Sequence, residues 1–393
     1  MCTAGRPEEG REATGYRGSY LGTGFVLAMS VRLLTSALVI VIPLFAIDAL
    51  AASAPEAGVF VLLLWVGNAV GVAAAVLALR NQTYASVAGF ALVAGSMLGL
   101  ALGGRGSAPA FILTSGVGVG LPQPFLSAFM HADSRAGKPF SGMGLYSTAL
   151  GVGLILGPLA AYAALPAYGF SGAFLALCAV CAVGVAGATL GHGAASDRPR
   201  PSAFSPRALL RAVRNEAFSR ATLVNLLYSL LLPVFLSYGA VCAEEKFAVA
   251  PTDALLIFTA VFVLSLAFRL AAVRLEAGLG KLLTFSAALL LLSALTVGLA
   301  PSLPYFVAGM LLFSVPHALV FPIANYFALS SAGGDVMNAS YAFQASSAVA
   351  EFITPAAAVL ILPGAGVQGL FLLGGVLAAG ALLASASTFR RPA

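Results

Sequence analysis

Charge is scarce in this chain. Asp, Glu, Lys and Arg make up 9% of its 393 residues and hydrophobic residues 60%, whereas a soluble domain carries roughly 25% charged residues. Twenty Lys and Arg, fourteen Asp and Glu and three His cannot coat a water-facing surface of this size. Histidine is scarcer still. His131, His192 and His317 form no HExxH pattern, and no G-x-S-x-G is present; the common zinc and serine-hydrolase centres are therefore excluded, and no enzyme, metal or cofactor is expected. The four cysteines, Cys2, Cys178, Cys181 and Cys242, make no disulfide framework. Cys178 and Cys181 have redox spacing but sit in the apolar run LALCAVCAVG, where they read as small packing residues. Gly116, Gly118 and Gly120 mimic a dinucleotide fingerprint without a preceding strand, and no phosphate-binding loop exists, so neither nucleotide nor ATP is expected. Alternation in segments of roughly ten residues, the mark of a membrane β-barrel, is missing too.

What the chain has instead is apolar runs of about twenty residues, the length a helix needs to cross hydrocarbon. They predict an all-α polytopic membrane protein with twelve transmembrane helices in two pseudo-symmetric six-helix bundles. The divisions are an N-terminal tail at 1–20, a first bundle at 21–190, a basic linker at 191–219, a second bundle at 220–388 and a tail at 389–393. The tail carries Arg6, Glu8, Glu9, Arg11, Glu12 and Arg17 without an apolar core and reads as cytosolic, not as a cleaved signal. Sixteen of the twenty basic residues fall on one side of the predicted spans, and only Arg105 and Lys246 on the other. Basic loops stay cytoplasmic, so both termini are expected inside a multi-pass cytoplasmic membrane protein. This placement, rather than nucleic-acid binding, accounts for the net charge of +6.

In the linker, Ser205 and Pro206 read as an N-cap and first helical residue. Leu209, Leu210, Val213 and Phe218 make an apolar stripe opposite Arg207, Arg211 and Arg214, as in a helix lying on the inner membrane surface. The halves repeat weakly: Pro158 in span 5 matches Pro355 in span 11, and Arg80 matches Arg274. Gly95, Gly99 and Gly103 in span 3 read as a helix-packing face.

The 6 + 6 layout, the basic middle loop and the glycine-proline run Gly153, Gly157 and Pro158 resemble the major facilitator superfamily, in which the chain looks like a divergent prokaryotic member of the antiporter and efflux branch. The loop after span 2 reads ALRNQTYAS, keeping Arg80 without the family's aspartate; the loop after span 8, VRLEAGLGK, keeps more through Arg274, Glu276, Gly278, Gly280 and Lys281. The arginine common in span 4 of that family is missing. The resemblance implies a secondary transporter of small molecules.

Polar residues at mid-span are costly and mark a working site. Arg32 lies near the middle of span 1 and Glu351 near the middle of span 11; His317 is central in span 10 between Pro316 and Pro322. Asn68 in span 2, Asn225 and Tyr228 in span 7, and Gln123 and Asn325 in spans 4 and 10 fall at similar depth. These eight are the candidate substrate-binding and coupling residues, with Gly153, Gly157 and Pro158 for gating and Arg80, Arg274, Glu276, Gly280 and Lys281 for the inner loops. Buried packing, interhelical hydrogen bonds or an Arg32–Glu351 ion pair are the competing readings. Arg269, near the inner end of span 8, is expected to snorkel to the surface. The expected partners are a small molecule, protons and the lipid bilayer, and the expected state is a monomer. A receptor or scaffold without transport, or a membrane-embedded enzyme, is the alternative.

Overall fold

A computed structural model describes residues 9–79, 81–126, 141–190, 205–273, 278–331 and 336–388. Every regular element among them is helical. In chain order these are α1 (Glu9–Leu44, running into a π turn Phe45–Ala49), α2 (Ala54–Leu77), α3 (Gln82–Leu102), α4 (Ala108–Gly120), α5 (Ser141–Leu190), α6 (Pro206–Arg214), α7 (Glu216–Pro233, running into a π turn Val234–Tyr238), α8 (Gly239–Phe247), α9 (Pro251–Val273), α10 (Leu279–Gly298), α11 (Leu303–Ser330) and α12 (Val336–Thr388). Among the described residues, nine helical stretches are long and apolar enough to cross a membrane.

Two of these are too long for one crossing. At about 1.5 Å per residue, the 50 residues of α5 and the 53 of α12 run well over twice the ~30 Å hydrocarbon thickness. Each bends at one glycine, Gly169 (φ 61°, ψ −165°) and Gly366 (φ 64°, ψ 180°), in a backbone region that a side chain would forbid. Pro158, Pro166 and Gly169 keep the same spacing as Pro355, Pro363 and Gly366. The Pro158–Pro355 match is thus part of a larger one that sets the bend in each half.

The other repeated break is at α1 and α7. Pro43 precedes the π turn of α1, and Pro233 that of α7. A proline supplies no amide to the carbonyl a turn earlier, and the ladder next to it slips to wider spacing.

The limbs of the long helices repeat their partners as well. The first limb of α5 packs on α1 and α9; the second limb packs on α3, where the Ser171 hydroxyl donates to the Ala101 carbonyl at 3.0 Å. The first limb of α12 packs on α7 and α2, and the second on α10, where Gly298 abuts Leu372. The halves meet through two matched contacts, α5 with α9 and α2 with α12.

Apolar side chains face outward and polar ones inward. Leu77, Leu102, Leu190, Leu299, Leu360, Val376 and Leu383 are exposed, while Ser86, Ser96, Ser115, Asn225, Ser293 and Ser314 are buried. Lipid rather than water suits such a surface.

Several expectations are corrected. The stripe in the linker does not lie on one helix: Asn215 ends α6 and caps α7, accepting from the amides of Ala217 (3.0 Å) and Phe218 (3.2 Å). Phe218 is therefore buried in α7, Leu209 and Ala212 pack against the protein, and only Leu210 and Val213 remain exposed. In α3, Gly99 meets the Phe111 ring but Gly95 faces open space, so the face is partly used. The glycines of α4 have a structural use instead. A side chain at Gly116 or Gly120 would collide with the α2 backbone, and one at Gly118 with α3, which lets α4 sit wedged between both. Arg80, Arg274 and Glu276 lie outside the described residues, as do the tails at 1–8 and 389–393; Gly280 and Lys281 stand in the first turn of α10, with Lys281 exposed.

Candidate functional site

A cavity of about 60 Å³ lies at the junction of the halves. At ~10–15 Å³ per water it has room for about four to six water molecules. The first half supplies Arg32 and Thr35 of α1, Trp65 of α2, Gln123 just past α4 and Tyr146 of α5; the second supplies Tyr228 and Ser229 of α7, Arg269 of α9, His317 of α11 and Gln344, Ser347 and Glu351 of α12. Val31, Leu126, Leu150, Leu232 and Phe321 complete the wall with apolar surface.

The halves also touch at two further places. At one, the Ser340 hydroxyl donates to the Pro124 carbonyl at 3.1 Å, and Phe125 meets Tyr341 edge to face at 6.1 Å. At the other, α1 packs against the π turn of α7 and against α8.

Two hydrogen-bond chains converge on the cavity. In the first, Gln123 Nε2 donates to Asn68 Oδ1 at 2.9 Å, and Asn68 Nδ2 donates to Glu351 Oε2 at 3.4 Å, joining the halves. In the second, Arg269 reaches across the other junction. One of its terminal nitrogens donates to the Ser147 hydroxyl at 3.2 Å, and the other to the His317 carbonyl at 2.7 Å. Pro322 leaves the neighbouring carbonyl of Ala318 without its amide and loosens α11 at this point. The His317 ring bonds the Tyr228 hydroxyl through Nδ1 at 2.6 Å and stacks on Phe313 with centroids 5.3 Å apart.

Four nitrogens of residues that line the cavity are buried and have no partner among the described residues: Arg32 Nε, Trp65 Nε1, Arg269 Nε and His317 Nε2. Leaving a buried donor unbonded costs about 1–3 kcal/mol each.

The sequence matches no protein-family model, and no curated relative matches it. Solved structures do match, at low identity. A POT family transporter in complex with a thioalcohol-conjugated peptide superposes with a TM-score of 0.71 at 13% identity, covering 92% of this chain and 94% of that one. FucP, a major facilitator superfamily transporter in the outward conformation, gives 0.69 at 16%, over 95% and 100%. The human organic anion transporter MFSD10 (TETRAN) gives 0.68 at 17%, over 94% and 99%.

The chain has the major facilitator fold. Within that fold, Arg32, Gln123, Tyr228, His317 and Glu351 line the same cavity. Asn68 joins them through Gln123 and Glu351, and Asn225 through Ser347, to which it donates at 2.7 Å. Asn325 does not join. It is fully buried away from the cavity, and neither polar atom of its amide has a partner among the described residues. Arg32 and Glu351 share the cavity, yet no ion pair forms between them within 4.0 Å.

Arg269 is the main correction. It does not snorkel: only 4% of it is exposed, and it lines the cavity. Its distance from the end of the span misled, because the face decides the direction. Phe258, Phe262, Ser265, Arg269 and Ala272 recur at helical spacing and are all buried. That stripe was legible and would have found Arg269. Gln344 and Ser347 carried the same kind of signal, sharing a helical face with Glu351; Trp65 carried none.

Gly153 and Gly157 mark a close approach of two helices in this major facilitator fold. A side chain at Gly153 would strike the Met29 carbonyl, and one at Gly157 the Leu33 carbonyl and Ser36 hydroxyl, all on α1.

Proposed function

We propose that this protein is a secondary active transporter, working as a monomer in the cytoplasmic membrane, that moves a small molecule by alternating access and couples the movement to protons. The observation that carries the reading is the cavity: polar, central and walled by both halves. Rocking of one half on the other would open it to each side in turn. In support, each bent helix has two limbs long enough to cross; counted singly, and with α4 added to the nine apolar stretches, they would make twelve crossings, an even number that puts both termini on one side, the basic one. The Gly153, Gly157 and Pro158 motif is similar to that of the antiporter branch, whereas the coupling proposed through Glu351 moves anion and proton in the same direction. Proton coupling rests on Glu351, the acidic residue on the cavity wall.

The experiment is a single cysteine at Gln344, 4% exposed on the cavity wall, in a background free of Cys2, Cys178, Cys181 and Cys242. A membrane-impermeant maleimide should label Gln344→Cys from outside in right-side-out vesicles and from inside in inverted ones. Labelling from one side only, or from neither, contradicts alternating access.

Orientation has its own test. Cysteines placed at Glu56, Ala167, Glu245 or Gly364 should react from outside, and one at Arg207 should not. Outside labelling at Arg207 would invert the topology.

A further inference from the structure

The surplus of donors on the cavity walls identifies the kind of molecule that fits there, and this inference rests on the transporter reading. Arg269 uses both terminal nitrogens on Ser147 and His317, yet its Nε is buried and unbonded. Arg32 Nε is in the same condition on the opposite half, as is Trp65 Nε1. Trp65 is 2% exposed, Arg269 4% and His317 1%.

His317 adds a fourth donor. Tyr228 is buried, and its hydroxyl meets His317 Nδ1 at 2.6 Å. If the imidazole donated to the phenol, the phenolic proton would itself lack an acceptor. The satisfied arrangement has Tyr228 donating to Nδ1, which leaves the ring proton on Nε2 as a free donor.

The residues lining the cavity thus carry four unpartnered buried donors, and two guanidiniums there outnumber the one carboxylate, Glu351. An acceptor-only, negatively charged group answers both features, and guanidinium N–H to oxyanion bonds are the strong ones. The remaining wall, Val31, Leu126, Leu150, Leu232 and Phe321, is apolar. We infer that the substrate is a small organic oxyanion, a carboxylate, sulfonate or phosphonate on a compact apolar body, whose oxygens are held by Arg32, Trp65, Arg269 and His317.

Trp65 is the only tryptophan in the chain, so its fluorescence reports on the cavity alone. The purified full-length protein is titrated with benzoate, benzenesulfonate and phenylphosphonate, and with benzamide as the neutral match for benzoate. At least one anion should shift Trp65 emission saturably and bind about tenfold or more tighter than benzamide. Arg269→Gln should weaken that anion by about tenfold and benzamide by less, with Arg269→Lys, which keeps the charge, falling between parent and glutamine for the anion. Benzamide binding as tightly as the anions, or no saturable response to any anion, overturns the inference. That comparison uses the unaltered protein, so it holds even if an arginine variant fails to fold. Neither outcome alters the two-sided labelling of Gln344→Cys, so failure of the substrate class and failure of alternating access are told apart.

Discussion

Replacing Glu351 with Gln is expected to abolish proton-driven accumulation while leaving substrate exchange intact. Taking a carboxylate out of water disfavours its charged form, whereas a guanidinium in the same cavity favours it. Glu351 has both conditions, with Asn68 donating to it at 3.4 Å and Arg32 on the shared wall. Arg32 belongs to α1 and Glu351 to α12, in different halves, so their separation changes as the halves rock. When an anion takes Arg32, the carboxylate loses its neighbour's charge and gains a proton. When the anion leaves, the proton follows. The glutamine keeps the shape and the Asn68 contact of the neutral acid but cannot titrate.

In proteoliposomes the parent should accumulate the tightest-binding carboxylate about tenfold per unit of pH gradient, since one unit is worth about 1.4 kcal/mol. The Glu351→Gln protein should reach a ratio of about one, with counterflow of labelled against unlabelled substrate near the parent rate. Accumulation by the variant equal to the parent's would remove Glu351 from coupling. The Asn68–Glu351 bond would then be only a tie between α2 and α12.

The way these residues came together shows which parts of the fold a sequence can display. Span lengths, the basic asymmetry and the mid-span polar residues each follow from the cost of a polar group in hydrocarbon, a one-dimensional quantity along the chain. Arg32, His317 and Glu351 were visible for that reason. Which way a helix faces is a second quantity, and Arg269 needed it: the buried stripe through Phe258, Phe262 and Ser265 runs directly to it. Asn325 shows the opposite error, since depth alone suggested a cavity residue that is turned away from the cavity. The bends were legible only in pairs. Gly169 alone is one glycine among 43, and it gains meaning from Pro158 and Pro166 keeping the spacing of Pro355, Pro363 and Gly366. Gln344 and Ser347 stand seven and four residues before Glu351 on one helical face, whereas Trp65 could not be read, because a tertiary junction between α2 and α12 makes it their neighbour.

Gly157→Ala is expected to cost stability and to stop the cavity from opening on one side. A methyl group at Gly157 would overlap the Leu33 carbonyl and the Ser36 hydroxyl and stand 3.0 Å from the Ala37 amide. Leu33 and Ala37 present backbone, which cannot swing aside as a long side chain does, so α1 or α5 must move. Overpacking of this kind costs about 1–3 kcal/mol. The displaced segment of α1 carries Arg32 and Thr35, both on the cavity wall. A strain of that size, borne by one of the two states, shifts their ratio by about five- to 150-fold. Gly95→Ala is the matched control, because nothing lies within 4 Å of the methyl group it adds. The two variants should separate clearly. Gly157→Ala should melt below the parent and lose labelling of Gln344→Cys from one face, whereas Gly95→Ala should match the parent in both. If Gly157→Ala melts and labels as the parent does, the close approach of α1 and α5 is dispensable, and the glycines of this motif are no more than tolerated small residues.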